Sequence, residues 1–224
     1  MEAPQSQPAK LGDLSLFGQA ALDMEQFRVF LLGRNPASRP YAAGLVNRYY
    51  EQQETWGLRA DLLLAQCFHE TGVMTSWWSQ KPRRNLCGLG VTGQSLPPGQ
   101  TPPAAEAGQW VLDAASGTWY KGLVFATFEA AVSAHYAHMW AYVGAFLNNP
   151  DLDARAAVAD KYRFSGARAI AVARAWHITT PNGLAGRWAV PGVNYGASIE
   201  AMLNAVAAYV PPAGLDLSFN NTEF

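Results

Sequence analysis

Glu70 is the residue best placed to do acid chemistry. It closes the run Leu62-Leu63-Leu64-Ala65-Gln66-Cys67-Phe68-His69-Glu70-Thr71-Gly72, and Trp77-Trp78 follow soon after. An almost wholly apolar helix thus ends in one carboxylate and a helix-stopping glycine. A lone acid in apolar surroundings is costly to hold charged, so desolvation favours its neutral form. A carboxyl that keeps its proton near neutral pH can act as a general acid, as when a glycosidase protonates a leaving sugar oxygen. The structural alternative is an acid that caps a buried network. The helix dipole disfavours a carboxylate at a C-terminus, so that role brings no obvious benefit.

Other groups bear on the same question. Asn85-Leu86-Cys87-Gly88-Leu89-Gly90 follows Glu70 across a short loop, and Trp188-Ala189-Val190-Pro191-Gly192-Val193-Asn194-Tyr195 comes much later. Aromatic faces pack on the apolar C–H surfaces of sugars, so Trp77, Trp78 and Trp119 are candidates for substrate stacking; ordinary packing explains them equally well. His69-Glu70 cannot begin a zinc-protease H-E-x-x-H helix, because the second histidine would fall where Val73 stands. His135 and His138 have the spacing of a metal pair but no spaced third ligand, and read as core or surface histidines. No metal or cofactor is expected.

Helices must position these groups. Asp23 and Gln26 fit a capping box, starting a helix with Met24, Phe27, Phe30 and Leu31 on one face, stopped by Gly33 and Pro36. A second helix is predicted over 41–54, with Leu45, Val46, Tyr49 and Tyr50 at helical spacing. The third, over 60–71, is apolar nearly all round and belongs at the centre. Prolines and glycines over 80–121 mark loops, with a short hairpin formed by 109–112 and 118–120 about the turn Ala115-Ser116-Gly117. Helix returns over 125–147, near 153–163, near 166–176 and over 195–209. Residues 1–20 read as a tail or loosely docked arm, 21–210 as the domain, and 211–224, opened by Pro211-Pro212, as a C-terminal tail.

Composition narrows the classes. The chain has 224 residues, half of them apolar and 15% charged, enough for one domain with its own core. A net charge of −1 argues against a nucleic-acid partner. The apolar stretch 130–147 is broken by Ser133, His135 and His138 and reads as an amphipathic helix, not a membrane span. The first residues have no basic flank and no apolar core of a secretory signal. Cys67 and Cys87 read as two free thiols.

Leu64-Ala65-Gln66-Cys67-Phe68-His69-Glu70-Thr71-Gly72, Asn85-Leu86-Cys87-Gly88-Leu89-Gly90 and Trp188 to Tyr195 together resemble the bacterial and phage glucosaminidases of glycoside hydrolase family 73. The motifs of that family read A-Q-x-x-x-E-S/T-G-W/Y, N-L-F-G-I and Y-A-T-D-P-x-Y, and the likeness runs over about 41–209. The resemblance implies a mainly α (α+β), lysozyme-like fold, with a helical lobe facing a small β-hairpin lobe across a cleft. It also implies cleavage of β-1,4 bonds after N-acetylglucosamine in peptidoglycan strands, with Glu70 as the acid. Asn85 would fix the cleft loop or a sugar substituent, and Cys87 stands where the family has Phe. Trp188 replaces the first Tyr of the last motif, whose Thr-Asp is missing, and Tyr195 matches its second aromatic as packing; both also count among the candidate substrate-binding residues. The second catalytic group is Glu106 or Asp113 on the hairpin lobe, or the substrate's own acetamido group. Muramidase activity and a non-catalytic, wall-binding role stay open beside this reading. A wall substrate without a visible signal points to delivery by a phage tail or contractile injection particle, or to another non-classical export route.

Overall fold

The computed structural model of the chain describes residues 14–144, 147–159, 175–190, 192–219 and 222. Helix α1 (Met24–Arg34) begins with the capping box read from the sequence. The Asp23 carboxylate accepts from the Gln26 N–H at 2.9 Å, and the Gln26 side chain accepts from the Asp23 N–H at 3.0 Å. Helix α2 (Ala42–Trp56) follows, then α3 (Ala60–Thr71). All of α3 is buried apart from His69 and Glu70 at its end, as its all-round apolar character requires. Phe27 and Phe30 of α1 meet Phe68 of α3 at ring-centroid distances of 5.8 and 6.0 Å.

Three short strands come next: β1 (Ser95–Leu96), β2 (Trp110–Asp113) and β3 (Thr118–Lys121). They form one antiparallel sheet of order β1-β3-β2, with Val111 opposite Tyr120 and Leu112 opposite Trp119. The predicted hairpin is therefore present, and the two-residue β1 adds an edge to it. Helix α4 (Phe128–Val143) starts at Thr127, whose hydroxyl accepts from the Ala130 N–H. It is four residues shorter than predicted at its C-terminal end, where Gly144 caps it. Helix α5 (Pro150–Ala159) and helix α6 (Tyr195–Ala207) are the remaining α-helices among the described residues. The helix expected near 166–176 falls almost wholly outside the described residues.

The fold class is the expected one, a mainly helical body bearing a small antiparallel sheet. Helix α3 lies at the centre, packed by both α2 and α6, while α4 packs on α2 and α5. Residues 14–22 lie along the body. Leu16 is buried, its N–H donates to the Thr179 carbonyl, and Asp61 accepts from the backbone of Ala21 and Leu22. Asp61 is itself fully buried and paired with Arg59 at 2.6 Å. Among the described residues no helix is long and apolar enough to cross a membrane.

Candidate active site

The site begins at the exit of α3. Gly72 caps the helix in the left-handed region, and the Val73 N–H closes back on the Phe68 carbonyl at 2.8 Å. Val73 and Met74 stay left-handed, at φ 55° and 64°. A β-branched residue rarely adopts that conformation, so neighbours must hold it. They do: Asn35 donates to the carbonyls of Val73 and Met74 at 3.2 and 3.0 Å, and the Thr71 hydroxyl accepts from the Met74 N–H. The enforced turn sends the chain back towards the helix end, bringing Ser76 and Trp78 to the same cleft as Glu70.

That cleft has a volume of about 340 Å³. Glu70 lines it with Ser76 and Trp78, with the 85–91 loop, and with Trp188 and Ala189 from the C-terminal third of the chain. Glu70 is its one acid among the described residues. The Trp188 indole N–H donates to Glu70 Oε1 at 3.1 Å, and the Tyr195 hydroxyl donates to the same oxygen. Neither donor reaches Oε2. The sequence view of Glu70 as an isolated acid on a greasy helix end is thereby corrected, since its carboxyl is half-buried and held by two donors. Tyr195 packs in the core as expected, and its hydroxyl adds a bond to Glu70 that the packing reading left out. Burial, and then the charge of Glu70, push the Tyr195 hydroxyl far above the usual tyrosine range, so it remains a donor at any working pH.

Asn85 is completely buried. Its Nδ2 donates to the carbonyls of Leu89 and Leu123 at 2.8 and 3.1 Å, and its Oδ1 accepts from the Leu89 N–H at 2.9 Å. Both amide protons are spent on backbone, so of the two roles expected, loop fixing is the one its geometry serves. Through Leu123 it ties the cleft loop to the segment leaving β3. Cys67 and Cys87 are both buried thiols, with Cys87 on the cleft wall; burial pushes the Cys67 thiol up to about 12.

The aromatic residues divide by position. Trp78 belongs to the cleft and also to a neighbouring depression of about 280 Å³, which it shares with Trp77, Asp113 and Tyr120. The Arg83 guanidinium lies 3.7 Å from the centre of the Trp77 ring and covers one of its faces. Trp119 alternates with Tyr120 along β3, so it faces the opposite side of the sheet and lines neither hollow. Tyr120 escaped notice in the sequence, though that same alternation marks it.

Neither acid of the sheet lobe joins Glu70. Glu106 accepts from the Trp110 indole at 2.7 Å and from Lys121 Nζ at 3.0 Å, one partner on each oxygen. Those bonds, the Trp110 one foremost, hold its carboxyl below the usual range. Asp113 accepts from the Ser116 hydroxyl at 2.6 Å and from the Ala115 N–H, which fastens the hairpin turn. Neither lines the 340 Å³ cleft. Among the described residues no group of three His, Cys, Asp or Glu is arranged to hold a metal ion.

No family model matches this chain. No curated protein matches it either. A solved structure to which it is similar is the crystal structure of the catalytic domain of the autolysin Auto from Listeria monocytogenes. The two are 13% identical over 84% of this chain and 87% of that one, with a TM-score of 0.41.

Proposed function

We propose that the chain is a peptidoglycan hydrolase, an endo-β-N-acetylglucosaminidase that cuts β-1,4 glycan bonds with Glu70 as general acid. The observation that carries this reading is the carboxyl of Glu70 in the cleft, with Oε1 held by Trp188 and Tyr195 and Oε2 taken by neither. A carboxyl so held can protonate a glycosidic oxygen from Oε2 without reorienting. As the cleft offers no second acid among the described residues, the route favoured here is attack by the substrate's own 2-acetamido oxygen on the anomeric carbon as the bond to the protonated leaving oxygen breaks; water then opens the cyclic ion so formed and returns a proton to Glu70. Trp78 forms the apolar wall against which a sugar face packs. Delivery to the wall by a tail-like or injection particle belongs to the same proposal, and co-purification with such a particle from the source cell tests it.

The deciding experiment is digestion of purified cell walls by wild type and Glu70→Gln, with the products read by mass. Wild type is expected to release fragments with N-acetylglucosamine at the new reducing end. Glu70→Gln should lose activity by about a thousandfold, in line with the 10²–10⁴ that a general acid contributes, with an unchanged melting temperature. Full activity in the variant sinks the assignment of the acid. N-acetylmuramic acid at the new reducing end makes the enzyme a muramidase. Wall binding without turnover by wild type replaces catalysis with a binding role, which suits a cleft with no second acid among its described residues.

A further inference from the structure

Behind Glu70 a file of buried polar side chains runs into the core, and beyond Tyr195 nothing in the reaction proposed above uses it. Tyr195 Oη lies 2.8 Å from Gln66 Nε2, Gln66 Oε1 lies 3.0 Å from His135 Nε2, and His135 Nδ1 lies 2.8 Å from the Tyr49 hydroxyl. Gln66, His135 and Tyr49 are 1%, 0% and 0% exposed. Polar groups this deep are retained at a cost in desolvation; each meets the next, and the Tyr49 hydroxyl at the far end also meets the Cys67 thiol.

The direction of donation along this file is fixed from one end. An ionised Glu70 can only accept, so Tyr195 must give it its single proton and receive one from Gln66. Gln66 then presents its NH₂ to Tyr195 and its carbonyl to His135. His135 must therefore carry its proton on Nε2, which leaves Nδ1 to accept from Tyr49. Burial, and then the proximity of His138, hold His135 down to about 3, so the ring stays neutral and the arrangement survives any working pH. When Glu70 takes up a proton on Oε2, Oε1 remains an acceptor and no member has to turn.

We propose that Gln66 and His135 are positioning residues for the acid: a one-way chain of donors from Tyr49 through His135, Gln66 and Tyr195 fixes Oε1 of Glu70 as a permanent acceptor and reserves Oε2 for the proton that is delivered. The catalytic part rests on the hydrolase reading above. Gln66 stands one helical turn before Glu70, on the same face of α3, and His135 reaches it from α4. With Tyr49 on α2 and Tyr195 on α6, four helices thereby set the orientation of one carboxyl.

Two measurements test this on the intact protein. Nitrogen-15 NMR of the His135 ring in wild type is expected to show a proton on Nε2 and a bare Nδ1 from pH 5 to 9. A proton on Nδ1 overturns the chain. Steady-state kinetics on soluble glycan-strand fragments then compare His135→Phe, His135→Gln and Tyr195→Phe. His135→Phe should lower kcat about tenfold with KM within about twofold, and His135→Gln, which restores a donor towards Gln66, should recover most of it. The His135→Phe/Tyr195→Phe double variant should be no slower than the slower single one, because both break the same chain. Multiplying effects, or a loss confined to KM, overturn the positioning role. If His135→Phe does not fold, the wild-type NMR measurement and the His135→Gln kinetics still decide. Wild type inert on cell walls overturns the hydrolase reading and the catalytic part with it, whereas a proton on Nδ1 in an active enzyme overturns the chain alone.

Discussion

At the scale of single residues, the contacts of Glu70 explain why an acid sits at the end of a greasy helix. Two donors on one oxygen offset the desolvation that the sequence foretells, and they do so from one side only. Trp188 can be tested without disturbing its packing. Its ring sits against His138 and Tyr142 at centroid distances of 4.8 and 5.5 Å, contacts that a phenyl ring can largely keep. Trp188→Phe removes the indole N–H, and kcat is expected to fall about tenfold, the equivalent of one charge-assisted hydrogen bond, with little change in melting temperature. A loss of stability as large as the loss of rate would assign Trp188 to packing instead.

At the scale of elements, the site depends on how closely α6 approaches the segment before Trp188. Gly196 follows Tyr195 directly, and a Cβ built on it would come within 2.7 Å of the backbone of Asn182 and 2.0 Å of its side-chain oxygen. Gly196→Ala therefore pushes the first turn of α6 outwards and carries the Tyr195 hydroxyl off Glu70. Destabilisation of about 1–3 kcal/mol in urea titration is expected, with a loss of turnover at least as large as that of Tyr195→Phe. Helices of this kind are legible in sequence because their signals are local. The Asp23–Gln26 box, the apolar periodicity of α2 and the cap at Gly72 all act within a few residues. The third strand was not legible, since Ser95–Leu96 is too short to show any alternation. Nor was the company of Glu70, because Trp188 and Tyr195 reach it only through tertiary packing. Gln66 gave the one available hint, an amide on a helix with no wet face.

At the scale of the whole molecule, the buried titratable groups set the pH range of the fold. The unfolded His135 ring takes up a proton below its ordinary value near 6.5, while the folded ring refuses it down to about 3. Stability is therefore lost as pH falls from about 6.5 towards 3. On the alkaline side Cys67 keeps its proton to about 12 when folded but gives it up near 9 when unfolded, and the raised Tyr49, Tyr136 and Tyr195 act in the same sense. Stability then falls as pH rises above about 9. Scanning calorimetry across pH 3 to 11 should show a plateau between about 6.5 and 9, with a decline on both sides. In His135→Gln the acid-side decline should become shallower, and an unchanged decline would assign it to other groups.

The distance along the chain between Glu70 and its two donors has a consequence for biosynthesis. Trp188 and Tyr195 follow it by 118 and 125 residues. At about 5–20 residues per second, a ribosome takes roughly 6–25 seconds to reach them after adding Glu70. Throughout that interval Glu70 exists without the two groups that hold its carboxyl in the folded protein. Of the described helices, the one latest in sequence carries the Tyr195 donor to Glu70.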